Sequence, residues 1–145
     1  MRNITRITVH HSAAPKSQTV EQVRAFHKDS RGWSDIGYNI IIRKAPLLPW
    51  TVELGRDIGK DPASSVGENA GTIAVCVFGD WHRDSLPREA RSTLVAVLVS
   101  LCREYKLSTR KIAGHKELPG EATACPGFNM DEIRALVDAE LQQPG

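Results

Sequence analysis

The stretch YNIIIRK, residues 38–44, contains three consecutive isoleucines and decides the fold class. A continuous run of β-branched residues predicts a strand that is covered on both faces, as in a sheet with helices on either side. TIAVCVF (72–78) has the same character, and ITRITVHH (4–11) is a third segment rich in β-branched residues. TVELG and KIAG predict two further short strands. The chain therefore contains several buried strands rather than a purely helical core.

Three helical patterns separate or follow these strands. Thr19 with Gln22 three residues later is a capping-box signature, and it predicts a helix over 19–29 with an apolar face of Val20, Val23, Phe26 and His27. Pro87 suits the first turn of a second helix, whose 3.6-residue period comprises Ala90, Leu94, Val97, Leu98, Leu101 and Tyr105. Asn129 with Glu132 predicts the cap of a third, with Ile133, Leu136, Val137 and Leu141 on one face. We predict an α/β fold: a single domain over residues 1–145 with a mixed central β-sheet flanked by helices on both faces.

Composition excludes several classes of protein. The 145 residues carry a net charge of +2 without a dense Lys/Arg stripe, so we expect no nucleic-acid partner. No apolar run approaches the ~18 residues of a membrane span, so we expect no membrane partner. Three cysteines argue against a disulfide framework, and we expect Cys76 and Cys102 to be small core residues. The first residues lack the apolar segment of a secretory signal, which favours a protein that is made and kept in the cytoplasm.

The polar segment GHKELPGEATACPGF (114–128) contains His115 and Cys125. His10 and His11 end the first strand, and only one of them can face a given site because neighbouring strand residues point to opposite faces. Two imidazoles and one thiolate would form a zinc site with one open position, which is typical of catalytic zinc. The spacing matches no zinc finger, and by itself it favours an ordinary surface loop over a metal site.

Two further side chains could assist such a site. Tyr38 follows Gly37 at the start of a strand, where its phenol could serve the chemistry or simply pack. Thr123 lies two residues before Cys125 and could donate to a developing oxyanion, or it could be a turn residue. We expect His27 to be a packing residue and His82 to be exposed. Glu53 and Glu117 are expected to be solvated or capping groups.

Five segments in order resemble a known family: ITVHHSA, FHKDSRGWSDIGYNIIIRK, VELGRD, TIAVCVFGD and AGHKELPGEATACPGF. Together they are similar to the type 2 N-acetylmuramoyl-L-alanine amidases, which include the amidase lysozymes of T-odd bacteriophages and the peptidoglycan recognition proteins. The resemblance covers roughly residues 4–137. It implies a zinc hydrolase that cuts the amide bond between N-acetylmuramic acid and L-alanine in peptidoglycan.

The resemblance also implies roles for individual residues. His10, His115 and Cys125 would be the zinc ligands, and His11 would point away. Tyr38 would be a catalytic residue, and Thr123 would offer a neutral hydroxyl where some relatives have a lysine. The chain departs from the family in its long apolar turn KAPLLPWT, in having Cys76 where some relatives have a glutamate base, and in lacking a histidine in SSVGENAG.

The implied partner is the muropeptide stem of peptidoglycan, and we expect a monomer. A phage-type endolysin, with bacteriolytic and antimicrobial action on the cell wall after release from the host cytoplasm, fits the missing signal. A cytosolic wall-recycling amidase fits it equally. The chain could also be a non-catalytic peptidoglycan-binding module or a structural zinc domain. Recognition relatives commonly have serine at the cysteine position, so Cys125 favours the enzyme, and a structural zinc domain would need a fourth protein ligand.

Overall fold

The computed structural model describes residues 2–144 and contains one five-stranded sheet in the order β3-β2-β4-β1-β5. The strands are β1 (Arg6–His11), β2 (Ile40–Lys44), β3 (Trp50–Leu54), β4 (Thr72–Val77) and β5 (Ile112–Gly114). β1 pairs in parallel with β4 and β5, and β2 pairs in parallel with β4. Only β3 runs antiparallel, at the edge beside β2. The sheet is therefore mixed, as predicted.

Helices cover both faces of the sheet, which confirms the predicted fold class. The helix α1 (Val20–Arg31) packs on the face that carries Ile41 and Cys76. The helices α2 (Arg88–Tyr105) and α3 (Met130–Leu141) pack on the other face, over Ile42 and Val77. Short 3-10 helices at Thr109–Lys111 and His115–Glu117 flank β5. Among the described helices, none combines the length and the apolarity that crossing a bilayer requires.

The helix boundaries follow local chemistry. Thr19 and Gln22 form the predicted capping box, with the threonine side chain accepting from the Gln22 N–H and the glutamine side chain accepting from the Thr19 N–H. Asn129 caps α3 by accepting from the Glu132 N–H. Pro87 is the residue that precedes α2 and not part of its first turn, a correction of one position.

Two predictions of helix burial are wrong. Phe26 is 49% exposed and Leu136 is 38% exposed, although both fall on the apolar arcs of their helices. Each lies at the edge of its arc, beyond the width that the sheet or the neighbouring helix covers. In α2 the buried stripe is wider than predicted, because it also includes Val95, Val99 and Cys102.

A long irregular segment between β3 and β4 is organised by one buried side chain. The Nδ2 of Asn39 donates to the Lys60 carbonyl at 3.0 Å, and its Oδ1 accepts the Ala74 N–H at 2.9 Å. Asn39 is fully buried, so these bonds connect the loop to the sheet where water cannot compete. The loop is thereby fixed to β4, beside the residues described next.

Candidate functional site

The two histidines at the end of β1 face opposite sides of the sheet. His10 is level with Cys76 and points to the α1 face. His11 is level with Val77 and points to the α2 face, where its Nδ1 accepts the Trp81 N–H at 3.1 Å. His10 is therefore the histidine on the side of the candidate site. The strand period alone left the choice open because both faces of β1 are buried, and the resemblance to the family had pointed to His10.

His10, His115 and Cys125 converge although they are far apart in the chain. One candidate ligand atom from each residue lies within 4.8 Å of the other two. The Nδ1 of His10 and the Sγ of Cys125 are 3.8 Å apart, and the two imidazole rings are 4.9 Å apart between centroids. β1 supplies the first residue, the 3-10 helix after β5 supplies the second, and the following loop supplies the third.

The charge states of these groups are set by burial. Burial, followed by the neighbouring His115 and His11, lowers the pKa of His10 to about 3, so its imidazole is neutral at neutral pH. Burial raises the pKa of Cys125 to about 12, although the His11 N–H that donates to Sγ at 3.3 Å opposes the shift. The protein atoms alone therefore hold a thiol, and a bound cation would be needed to stabilise the thiolate at neutral pH.

These residues fit a zinc ion. Two imidazole nitrogens and one sulfur are ligands that zinc accepts, and the ligand atoms around a tetrahedral zinc lie about 3.3–3.8 Å apart. The separation of 3.8 Å between His10 Nδ1 and Cys125 Sγ agrees with that spacing.

Tyr38 lies against this cluster. Its ring centroid is 5.5 Å from that of His10, and its hydroxyl lies near the thiols of Cys76 and Cys125. Burial raises the pKa of Tyr38 well above its ordinary value, and both cysteines act in the same direction. The phenol is therefore protonated at neutral pH and can donate a hydrogen bond into the site.

Thr123 is exposed and shapes the loop that carries the thiol. Its Oγ1 accepts the Cys125 N–H at 3.1 Å, so Thr123 stabilises the turn before the cysteine, which is one of the two roles that the sequence allowed. The hydroxyl proton is not used in that bond, so it remains free to be donated. The two carboxylates near these segments have structural partners: Glu53 pairs with Arg43, and Glu117 pairs with Arg134.

Thr8 was not recognised in the sequence as part of the site. Its Oγ1 lies 2.9 Å from the Nε2 of His10. Because the hydroxyl engages Nε2, the Nδ1 of His10 is the nitrogen that stays available on the side of Cys125. The strand period of two residues could have identified this contact, since Thr8 and His10 share one face.

His27 supports the segment that leads into Tyr38. Its Nδ1 accepts the Gly37 N–H at 2.9 Å, and its ring lies 5.7 Å from the Tyr38 ring and 4.8 Å from the Trp33 ring. It is buried, as expected of a packing residue, but it is also a hydrogen-bond acceptor. Acceptance through Nδ1 requires the neutral imidazole.

We expect His27 to make the folded protein less stable in acid. Burial, Arg31 and Arg56 lower its pKa from 6.5 to about 4. The unfolded state therefore binds the proton more tightly, and the stability is lost as the pH falls from 6.5 towards 4. Between pH 7 and pH 5 the free energy of unfolding of the metal-free wild type should fall by about 2 kcal/mol more than that of His27→Asn, as measured by urea unfolding.

A matched control is His82→Asn, which removes an exposed histidine. Its loss of stability between the same two pH values should equal that of the wild type. If the curve for His27→Asn also ran parallel to the wild type, the buried imidazole would not be the source of the acid sensitivity.

We also expect Gly37→Ala to destabilise the segment that carries Tyr38. A Cβ at this position would lie 2.5 Å from the Ala63 carbonyl oxygen and 2.9 Å from the Trp33 ring. The backbone cannot yield cheaply, because the Gly37 carbonyl already accepts the Ala63 N–H at 2.9 Å. Urea unfolding should show a loss of about 1–3 kcal/mol. Gly59→Ala is the control, since its Cβ would meet only the flexible Asp57 side chain, and equal midpoints for the two variants would contradict the account.

A surface groove lies elsewhere on the protein, away from these residues. It has a volume of about 570 Å³ and lies between α2 and α3, on the opposite face of the sheet. Its lining includes Arg88, Arg103 and Leu136 and none of the candidate site residues. This groove therefore does not mark the candidate site, which is identified by the convergence of ligand atoms.

Comparison with known proteins gives one family match. The sequence profile of the family described as N-acetylmuramoyl-L-alanine amidase matches residues 1–128. Peptidoglycan-recognition protein SC1a/b of Drosophila simulans is 30% identical over 135 residues, covering 87% of this chain and 70% of the relative.

Two solved structures share the fold. The endolysin N-acetylmuramoyl-L-alanine amidase LysCS from Clostridium intestinale URNW superposes with a TM-score of 0.82 at 27% identity, over 94% of this chain and 85% of that one. A complex of tracheal cytotoxin with the ectodomains of peptidoglycan recognition proteins LCa and LCx gives a TM-score of 0.74 at 27% identity. That match covers 92% of this chain and 81% of the other.

Proposed function

Because this chain belongs to the N-acetylmuramoyl-L-alanine amidase family, we propose that it is a zinc-dependent hydrolase of the muramoyl–L-alanine amide bond in peptidoglycan. The observation that carries the proposal is the convergence of His10, His115 and Cys125 on one point, with Tyr38 beside it. The set offers three protein ligands, and open three-ligand sites are typical of catalytic zinc.

The ligands would hold the ion through Nδ1 of His10, one ring nitrogen of His115 and the Sγ of Cys125. Zinc, when bound in such a site, acidifies water and polarises a carbonyl oxygen. Thr8 keeps the His10 ring oriented through Nε2 at 2.9 Å. The His11 N–H donates to Sγ and would help to keep Cys125 in the thiolate form.

Tyr38 and Thr123 are the groups that would act on the substrate. The Tyr38 phenol, protonated and held between α1 and the sheet, would donate a hydrogen bond to the amide oxygen as negative charge develops there. Thr123 would donate a hydrogen bond through its hydroxyl to the same oxygen, while its Oγ1 keeps the bond to the Cys125 N–H. Hydrolysis adds water across the amide bond: the water oxygen bonds the carbonyl carbon of the lactyl group, and the L-alanine amine leaves with the protons of that water.

Peptidoglycan is the substrate that the relatives support. The named homologue is a peptidoglycan-recognition protein, and one neighbouring structure contains tracheal cytotoxin. The likeness to an amidase endolysin supports the finer proposal of a phage-type endolysin, made in the host cytoplasm and acting on the wall after release. We propose that the chain acts as a monomer on the stem of a muropeptide.

A second candidate function is peptidoglycan binding without catalysis, which the recognition-protein relatives favour. The two functions are separated by digesting purified peptidoglycan with the zinc-loaded protein. The amidase should release new α-amino groups on L-alanine. New reducing sugar ends would mean that the wrong bond was assigned. Co-sedimentation with peptidoglycan without any new end group would establish the binding module instead.

A further inference from the structure

Glu121 is a largely buried carboxylate with no explained role. Its side chain is 14% exposed and that of His115 is 17% exposed. The Glu121 Oε2 lies 3.2 Å from the His115 Nε2. Within residues 2–144, Oε1 of Glu121 and Nε2 of His115 are both buried without a hydrogen-bond partner. Leaving such groups unpaired costs free energy, so the arrangement needs a reason.

A tight turn brings the carboxylate to the histidine. In LPGE (118–121) the Glu121 N–H donates to the Leu118 carbonyl at 3.3 Å, and Gly120 has a φ of 75°. Proline followed by glycine with positive φ is the pattern of a type II turn. The turn reverses the chain after the 3-10 helix and returns the carboxylate to the histidine at the start of that helix.

The other histidine of the cluster, His10, also has its Nε2 beside a side-chain oxygen. His10 directs Nε2 to the Thr8 hydroxyl and has Nδ1 on the side of Cys125. His115 likewise has Nε2 beside an oxygen, here a carboxylate. A histidine that binds a metal through one nitrogen commonly donates its other N–H to a carboxylate, carbonyl or hydroxyl, which fixes the tautomer.

We propose that Glu121 is the positioning residue for His115. Its carboxylate accepts the Nε2–H, which leaves the lone pair on Nδ1 for the metal. Its negative charge, together with that of the Cys125 thiolate, offsets the charge of a divalent ion in a buried site. The proposal rests on the proposed zinc site and adds a residue outside the predicted ligand set.

The test compares the wild type with Glu121→Gln, which keeps an acceptor but loses the charge, and with Glu121→Leu, which loses both. Zinc affinity is measured by competition with a chromophoric chelator. Glu121→Leu should bind zinc about 10–100-fold more weakly, and Glu121→Gln should lie between it and the wild type. The metal-free Glu121→Leu protein should be at least as stable to heat as the wild type, because the substitution removes a largely buried carboxylate whose Oε1 has no hydrogen-bond partner within residues 2–144. A merely structural role would lower the stability of the metal-free protein.

Glu117→Gln is the matched control. Glu117 lies in the same segment, but both its oxygens bond Arg134 at 2.7 Å. This variant should lose thermal stability and keep the zinc affinity of the wild type. Equal affinity for zinc in the wild type and both Glu121 variants would overturn the positioning role of Glu121. It would leave the proposed zinc site itself intact.

Cobalt substitution distinguishes positioning from ligation. The visible spectrum of the Co²⁺ protein should report the same coordination number in the wild type and in Glu121→Leu. A change in coordination number would make Glu121 a ligand and overturn the proposal. If the wild type itself failed to bind one zinc per chain, the proposed function would fail before the role of Glu121 arose.

Discussion

Cys125→Ala should abolish stoichiometric zinc binding and reduce amide hydrolysis by more than about 100-fold, since even the loss of an outer contact to a metal ligand costs up to that much. The thiolate is the only anionic ligand of the three, and without it the ion would rest on two neutral imidazoles. Metal content is measured by elemental analysis after dialysis, and hydrolysis by the release of N-terminal L-alanine.

Cys102→Ala is the matched control for the loss of a thiol. Cys102 is also buried but lies in α2 on the opposite face of the sheet. This variant should bind one zinc and keep its activity, with some loss of stability from the smaller side chain. If Cys125→Ala retained both the zinc and the activity, the sulfur would not be a ligand and the site would have to be built differently.

Tyr38→Phe should lower kcat by about 10²–10³-fold while leaving the zinc content unchanged. The substitution removes one hydroxyl, which lies beside Cys76 and Cys125, and keeps the ring that packs near His10. A donor that acts only as charge develops contributes to kcat more than to KM. Steady-state kinetics on a soluble muropeptide measure both constants.

The chain offers a direct control, because it has only two tyrosines. Tyr105 ends α2 and packs against the core on the other face, so Tyr105→Phe should leave kcat unchanged. If Tyr38→Phe raised KM and left kcat intact, Tyr38 would bind the substrate without assisting the chemistry.

The strands and helices could be predicted because their signals are local. The isoleucine run of β2, the capping box at Thr19 and the Asn129 cap each act within a few residues. Phe26 and Leu136 show the limit of such signals. Their helical period is apolar, but the width of the covered face depends on which element packs there, and that is set by parts of the chain distant in sequence.

The candidate site was predictable to a different degree for each residue. Alternation along β1 established that one of two histidines could face a site, but the position of α1 decided that it was His10. Residue types and strand ends raised His115, Cys125 and Tyr38 as candidates, and the resemblance to a family gave each of them a role. Turn and strand geometry place Glu121 beside His115 and Thr8 beside His10. Their role in orienting the two histidines is recognised only once the structure shows that those histidines lie together.

The most direct test of the account is a zinc titration of the metal-free protein, with the release of N-terminal L-alanine from peptidoglycan as the readout. We expect no release before zinc is added, a linear increase, and saturation at one zinc per chain. Full hydrolysis in the metal-free protein, maintained in the presence of a chelator, would contradict the zinc-dependent mechanism built on His10, His115 and Cys125.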